Sequence, residues 1–189
     1  MITLKGMRSR QHGFTMIELI VVIVILGILA AVALPRFVNI QSDARVSKLN
    51  AARGAVQAAS GMIRGAVLAR GGVDDTAQCA ANVGPAPATA DNDTNVCTES
   101  GRIAITNGYP SGTVQGIVNA AGLTPTFFAA TDDVAAANAI LAAEGYSVAV
   151  DAGVVTINVT GGTGACNFTY TQAAANATPT ISAINRAGC

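Results

Sequence analysis

The chain has 189 residues, with eleven Lys and Arg balanced by eleven Asp and Glu, one His and no Trp. That length suits one globular domain plus an extension. The single histidine, His12, lies in the first dozen residues, so nothing downstream can build a Ser-His-Asp or Cys-His catalytic arrangement.

Residues 1–13 form a basic leader holding Lys5, Arg8 and Arg10 and no acid. An apolar run follows, and from Phe14 to Leu34 its only charge is Glu18. As a helix that run would be roughly 31 Å long, enough to cross a bilayer core. An ordinary secretory signal has a shorter apolar region, no acid inside it and a small-residue cleavage site after it. Here the plausible cut lies before the run, between Gly13 and Phe14. Such a cut keeps the apolar segment and leaves a free amine on Phe14, one helical turn from Glu18. An ionisable group in a membrane segment is costly and marks a function, and an ammonium beside it removes that cost.

Residues 14–70 read as one long helix. Its first part is apolar all round, as a membrane or bundle-core helix must be. Pro35 predicts a kink, because proline removes a backbone hydrogen bond and clashes with the preceding turn; Gly27 is a second weak point. Beyond Pro35 the pattern becomes amphipathic, with Leu49, Ala52, Val56, Ala59, Ile63 and Ala66 spaced alternately by three and four. Arg45, Lys48, Arg53, Arg64 and Arg70 lie largely off that stripe. Gly71-Gly72 ends the helix.

Residues 73–101 read as an irregular acidic loop, closed by Cys79 and Cys97. A short helix is predicted at 113–121 and another at 132–144, with Thr131 as N-cap, Asp132 and Asp133 in its first turn and Gly145 as its end. Tyr146–Val150 and Val155–Val159 read as a hairpin turning through residues 151–154. Gly161-Gly162-Thr163-Gly164 makes the next turn; it does not open a helix, so it is no phosphate loop. Cys166, Phe168 and Tyr170 alternate on one face of a third strand. Arg102–Thr106 and Thr180–Asn185 are both candidates for a fourth.

Charge is segregated. Residues 36–70 carry six cations against Asp43 alone, whereas residues 71–189 carry nine acids against Arg102 and Arg186. Two readings fit: attraction between the helix of one subunit and the head of another, or a solvated helix face beside an acidic domain. Nucleic acid is a poor main partner for the acidic part. The four cysteines allow three pairings; the sequence-local one, Cys79–Cys97 with Cys166–Cys189, is the expectation for an exported chain. No cysteine spacing is a metal motif, and no cofactor is implied. Asn92, Asn158, Asn167 and Asn176 begin Asn-x-Thr triplets, which an Asn- and Thr-rich chain produces by chance.

Gly13-Phe14-Thr15-x-Ile17-Glu18-Leu19, followed by an unbroken apolar helix with Gly27 and Pro35, resembles a type IV prepilin of the type IVa kind. The resemblance is concentrated in residues 1 to about 70. Asp43-Ala44-Arg45-Val46 and Cys166-Asn167-Phe168-Thr169-Tyr170 look most like mannose-sensitive haemagglutinin (MSHA) pilins. The family implies an α+β pilin fold, with a long N-terminal helix, kinked near Pro35, packed on a C-terminal antiparallel sheet. It implies four segments: a leader at 1–13, a transmembrane and filament-core half-helix at 14–35, an amphipathic half at 36–72 and a head at 73–189. The implied function is structural and adhesive, not enzymatic. A membrane peptidase would cut after Gly13 and N-methylate Phe14, Glu18 would guide subunit addition, and Gly27–Pro35 would be the place where helicity can be lost on assembly. The implied partners are further copies of the chain, the peptidase/N-methyltransferase, the assembly machinery of the inner membrane, that membrane itself before assembly, and surface carbohydrate. The implied location is the inner membrane of a Gram-negative bacterium and then an extracellular pilus. A type II secretion pseudopilin and a membrane-tethered binding domain that never polymerises are the alternatives.

Overall fold

The computed structural model describes residues 13–71, 95–98, 101–128 and 134–189, with the backbone alone for residues 38 and 39. Most of the leader, Gly72, Cys79, the acidic stretch up to residue 94 and the Thr131-Asp132-Asp133 cap lie outside these residues. The chain divides into two units, 1–40 and 41–189, each described by itself.

The first unit is the beginning of helix α1, Met16–Ala69. Helical backbone runs through both Gly27 and Pro35. Having no N–H, Pro35 cannot bond the carbonyl one turn earlier. Among the described residues of this unit the large apolar side chains are exposed: Phe14 is 87% exposed, and Ile23, Leu26, Leu29 and Leu34 are all more than half exposed.

In the second unit the same helix is one wall of a core. Leu49, Ala52, Val56, Ala59 and Ile63 are buried, following the predicted stripe. The last contact moves to Val67, with Ala66 only half-buried. At 3.6 residues per turn a three-four alternation drifts, and one step of drift selects Val67.

The antiparallel strands form two sheets rather than one. Strands β1 (Asn95–Thr98), β2 (Gly101–Thr106) and β3 (Tyr109–Pro110) make the first, in that order. Strands β4 (Tyr146–Asp151), β5 (Val154–Val159), β6 (Asn167–Thr171) and β7 (Thr180–Ile181) make the second, also in chain order. Of the two candidates for a fourth strand, Arg102–Thr106 lies in β2, and of Thr180–Asn185 only Thr180–Ile181 is strand, in the other sheet, with an isolated bridge from Asn185 to Asn167. β1 corrects the irregular reading of 73–101: Val96 pairs with Ile103 and is buried. Successive turns of α1 serve successive sheets. Leu49, Ala52 and Val56 pack with Val148, Val155, Ile157, Phe168 and Tyr170, whereas Ile63 and Val67 pack with Val96, Ile103 and Ile105.

The β4–β5 hairpin closes with Asp151 opposite Val154. Only Ala152 and Gly153 turn, at φ of 45° and 80°, the two positive values that match strand twist in a two-residue loop. Asn107-Gly108 does the same between β2 and β3, at 54° and 77°. The Asn107 side chain also donates to the Ala173 carbonyl (2.9 Å), tying that turn to the segment after β6. Gly112 is held against Gly153: a methyl group there would fall 1.9 Å from the Gly153 oxygen.

The short helix expected at 113–121 is a π-helical turn, Val114–Val118, continuing as helix through residue 120. Thr113 caps it, accepting from the Gly116 N–H (3.0 Å), and all five residues of the turn are buried. Helix α2, Val134–Leu141, ends before the predicted residue 144, and its predicted start at 132 lies outside the described residues. Its carbonyls are closed by tight turns, Ala143 N–H to Ile140 and Gly145 N–H to Ala142, with Gly145 at φ 69°. From α2, Asn138 reaches β4: its amide donates to the Val148 carbonyl (2.9 Å), and its oxygen accepts from the Val148 N–H (2.7 Å). Asn119 clamps Phe128 in the same two-bond way while almost fully buried.

Candidate functional site

The site is the first turn of α1. Met16 is the first helical residue, so Thr15 stands at the N-cap and Glu18 three residues inside. The Glu18 Oε2 accepts from the Thr15 N–H (2.9 Å) and the Thr15 hydroxyl (2.7 Å). The Thr15 Oγ1 in turn accepts from the Glu18 N–H (3.3 Å). This is a reciprocal capping box: two otherwise unsatisfied helix-end donors are bonded, and the acid sits at the positive end of the helix dipole. Thr15 is the residue the sequence reading passed over, although its signal, Thr-x-x-Glu before an apolar run, was present. Glu18 is thus more than an isolated acid in an apolar run. Its position is fixed by its own helix, and its second oxygen, Oε1, stays open to a cation. Gly13 and Phe14 precede the cap in non-helical, exposed backbone, where a peptide bond is open to an enzyme.

From this cap α1 runs on as a helix long and apolar enough to cross a membrane by length and composition. Gly27 and Pro35 lie inside it.

At the other end of the chain Cys166 is disulfide-bonded to Cys189, 23 residues later. Cys166 is buried beside Phe168 and Tyr170, on the predicted face. Its loop folds back through Thr163 N–H to Gly188 (3.0 Å) and Asn185 N–H to Asn167 (2.8 Å). Cys97 is also disulfide-bonded. Asn158 and Asn167, two of the Asn-x-Thr residues, bond each other's side-chain amides at 3.0 Å.

The cations of the second half of α1 settle on the chain's own head. Arg45 donates to the Cys189 carbonyl and Lys48 to that of Glu144. Lys48 also lies 4.5 Å from the Tyr146 ring centre, while the Tyr146 hydroxyl donates to the Lys48 carbonyl (3.2 Å). Arg53 Nε donates to Ser182 (2.9 Å), Arg70 to Cys97 (3.1 Å), and Arg64 stacks over Tyr109 at 4.9 Å. These bonds go to neutral carbonyls and rings, and they fix the second half of the helix on the head. Among the described residues no group of three or more His, Cys, Asp or Glu is placed to hold a metal.

Comparison with known proteins agrees with this geometry. Residues 8–34 match the family model described as the prokaryotic N-terminal methylation motif. The chain is 50% identical over 50 residues to the type IV narrow pilus major component PilA5 of Thermus thermophilus, covering 26% of this chain and 43% of that protein. It is 43% identical over 53 residues to the type IV major fimbrial protein FimA of Dichelobacter nodosus, covering 28% and 34%. To the type IV major pilin protein PilE1 of Neisseria gonorrhoeae it is 55% identical over 42 residues, covering 22% and 26%. The matched part is less than half the length of each relative. No solved structure matched. The N-terminal segment therefore carries the methylation motif and is similar to type IV pilin sequence, and the architecture, a long N-terminal helix followed by antiparallel sheets, is α+β and pilin-like.

Proposed function

We propose that this chain is the structural subunit of an extracellular type IV pilus. One observation carries the reading: the methylation motif at 8–34 coincides with a half-helix whose large apolar side chains are all exposed. Such a surface needs lipid or other copies of itself. Residues 1–13 are the leader, 14–35 the membrane and filament-core half-helix, 36–72 the amphipathic half and 73–189 the head. A prepilin peptidase cuts after Gly13 and methylates the new amine of Phe14. The Phe14 ammonium, on the same subunit or the next, then neutralises Glu18, whose open oxygen is positioned by Thr15. That pairing removes the cost of a carboxylate among apolar helices and sets where a subunit joins. Gly27–Pro35 is the stretch that gives way if the helix loosens in the filament. Before assembly the chain is a single-pass protein of the inner membrane of a Gram-negative cell, handled by the pilus assembly machinery.

In this reading the pilus is adhesive and MSHA-like, with surface carbohydrate as its ligand. Support for that finer part is the resemblance in residues 43–46 and 166–170 and a disulfide-closed segment whose residues 174–178 and 185–187 are exposed.

N-terminal analysis and mass of this chain in fibres sheared from cells test the proposal. A start at Phe14 with one added methyl, in material that pellets as fibres, is expected. A chain confined to membranes and starting at Met1 would be a tethered domain instead. A processed chain absent from sheared fibres would be a pseudopilin. Glu18→Ala is expected to abolish fibres, and wild-type yield in that variant would remove Glu18 from the assembly step.

A further inference from the structure

Arg53 on α1 is bonded, among the described residues, through its Nε alone, to the Ser182 carbonyl. It separates two open grooves, of about 250 and 290 Å³. The first is lined by Asn50, Arg53, Ala183, Ile184 and Arg186. Arg186 is exposed, and its guanidinium meets no acceptor among the described residues. Two cations thus share one groove with no carboxylate in its lining among the described residues. An anion entering there would gain attraction from both without displacing an existing ion pair.

The matching charge is on the same chain. Residues 73–94 carry Asp74, Asp75, Asp91 and Asp93 and no Lys or Arg. A chain of zero net charge whose opposite charges are segregated can present one patch to the complement of the next copy. Repeated, such a head-to-tail contact makes an open helical array rather than a closed dimer. We propose that the Arg53–Arg186 groove docks the acidic segment 73–94 of a second copy of this chain. The inference rests on the pilus-subunit reading and adds to it a contact between heads, separate from the apolar helix.

Charge reversal in full-length chains, read as fibre yield, tests it. Arg53→Glu with Arg186→Glu makes one variant; Asp91→Lys with Asp93→Lys makes the other. Each alone is expected to lose about tenfold or more in fibre yield. Co-expressed, the two are expected to recover fibres containing both, because each groove then meets an oppositely charged segment on the other copy. Recovery only when all four changes share one chain would place the contact within a single copy and overturn the proposal. Undiminished fibres from both single variants would overturn it too, leaving the groove to another ligand such as an acidic glycan. Absence of fibres from the unaltered chain would overturn the subunit reading itself. Should the reversals unfold the head, Arg53→Gln with Arg186→Gln takes their place. Unaltered fibres should then weaken as salt rises and those of the neutral pair should not; equal salt response overturns the contact.

Discussion

The two parts of α1 put similar apolar residues to opposite uses. From Leu19 to Leu34 leucines, isoleucines and valines surround the helix and stay exposed; after residue 41 they narrow to one stripe and are buried, with Leu49 and Val56 at 0% exposure. The difference lies in what stands between them. Behind Ile40 nearly every non-stripe position is small, polar or charged, so one face alone needs covering and the chain's own sheets suffice. Ahead of it, from Leu19 to Leu34, no polar face exists, and the large apolar side chains around the helix stay exposed. One helix therefore carries a requirement met within its second unit and an apolar surface that the described residues leave exposed.

Placing a charge in the first part should break this contrast most severely. Ile23→Asp adds an acid in the middle of the apolar run, where one acid costs about 3 kcal/mol in a membrane helix and recurs in every subunit. Fibre yield should fall to nothing, while thermal unfolding of the detergent-solubilised chain shows an unchanged head. A lowered head transition would mean that the two parts are not independent. The mirror experiment is Leu49→Ala, expected to destabilise the head by about 2–5 kcal/mol in denaturant titration; Leu29→Ala, in the exposed part, should leave that titration unmoved.

Removing the bridge with Cys166→Ser and Cys189→Ser should cost about 3 kcal/mol, the chain-entropy value for a loop of this size, and should be seen in the same titration. The smallest effect is at Tyr170. Its fully buried hydroxyl donates to the Pro110 carbonyl at 2.6 Å, so Tyr170→Phe should cost about 1–3 kcal/mol by leaving that oxygen without its partner. Burial pushes the Tyr170 hydroxyl well above the usual tyrosine range, outweighing a hydrogen bond with Ser60 that lowers it. Burial, with Glu144 nearby, also raises Tyr146. A raised folded-state value favours the protonated form, so this stability is complete below about pH 10, the unfolded tyrosine value. It is lost as pH rises from there through the folded values. Alkaline melts should fall more steeply for the unaltered chain than for Tyr170→Phe.

Sequence pattern revealed much of this architecture because several elements obey a single period. The stripe from Leu49 to Ile63, the β4–β5 hairpin and the alternation of Cys166, Phe168 and Tyr170 all needed only local spacing. β1 was hidden because four residues with one buried side chain, Val96, have no period of their own; their register comes from β2. The Asn107-Gly108 turn was legible and was passed over, and with it the division into two sheets. The π-helical turn, three apolar residues with Gln115 and Gly116 between them, cannot be told from an α-turn by pattern. At the site, the Gly13–Phe14 junction and Glu18 stood out because charge is rare there, whereas Thr15 needed the capping geometry to show its part. The two sequence readings of the α1 cations were attraction between subunits or simple solvation. The structure adds carbonyl and ring contacts within the head that neither anticipated, since a main-chain acceptor has no signature in residue type.

Asn138 has a consequence for crowding. In a fibre every head would face identical heads at a local concentration far above that of any free protein in solution. An open edge strand is a template, and identical templates at such density zip together. β4 is an edge, and Val148 turns its N–H and carbonyl away from β5, toward neighbours. One amide from α2 occupies both groups. At that position the edge offers no free pair of groups to a second strand.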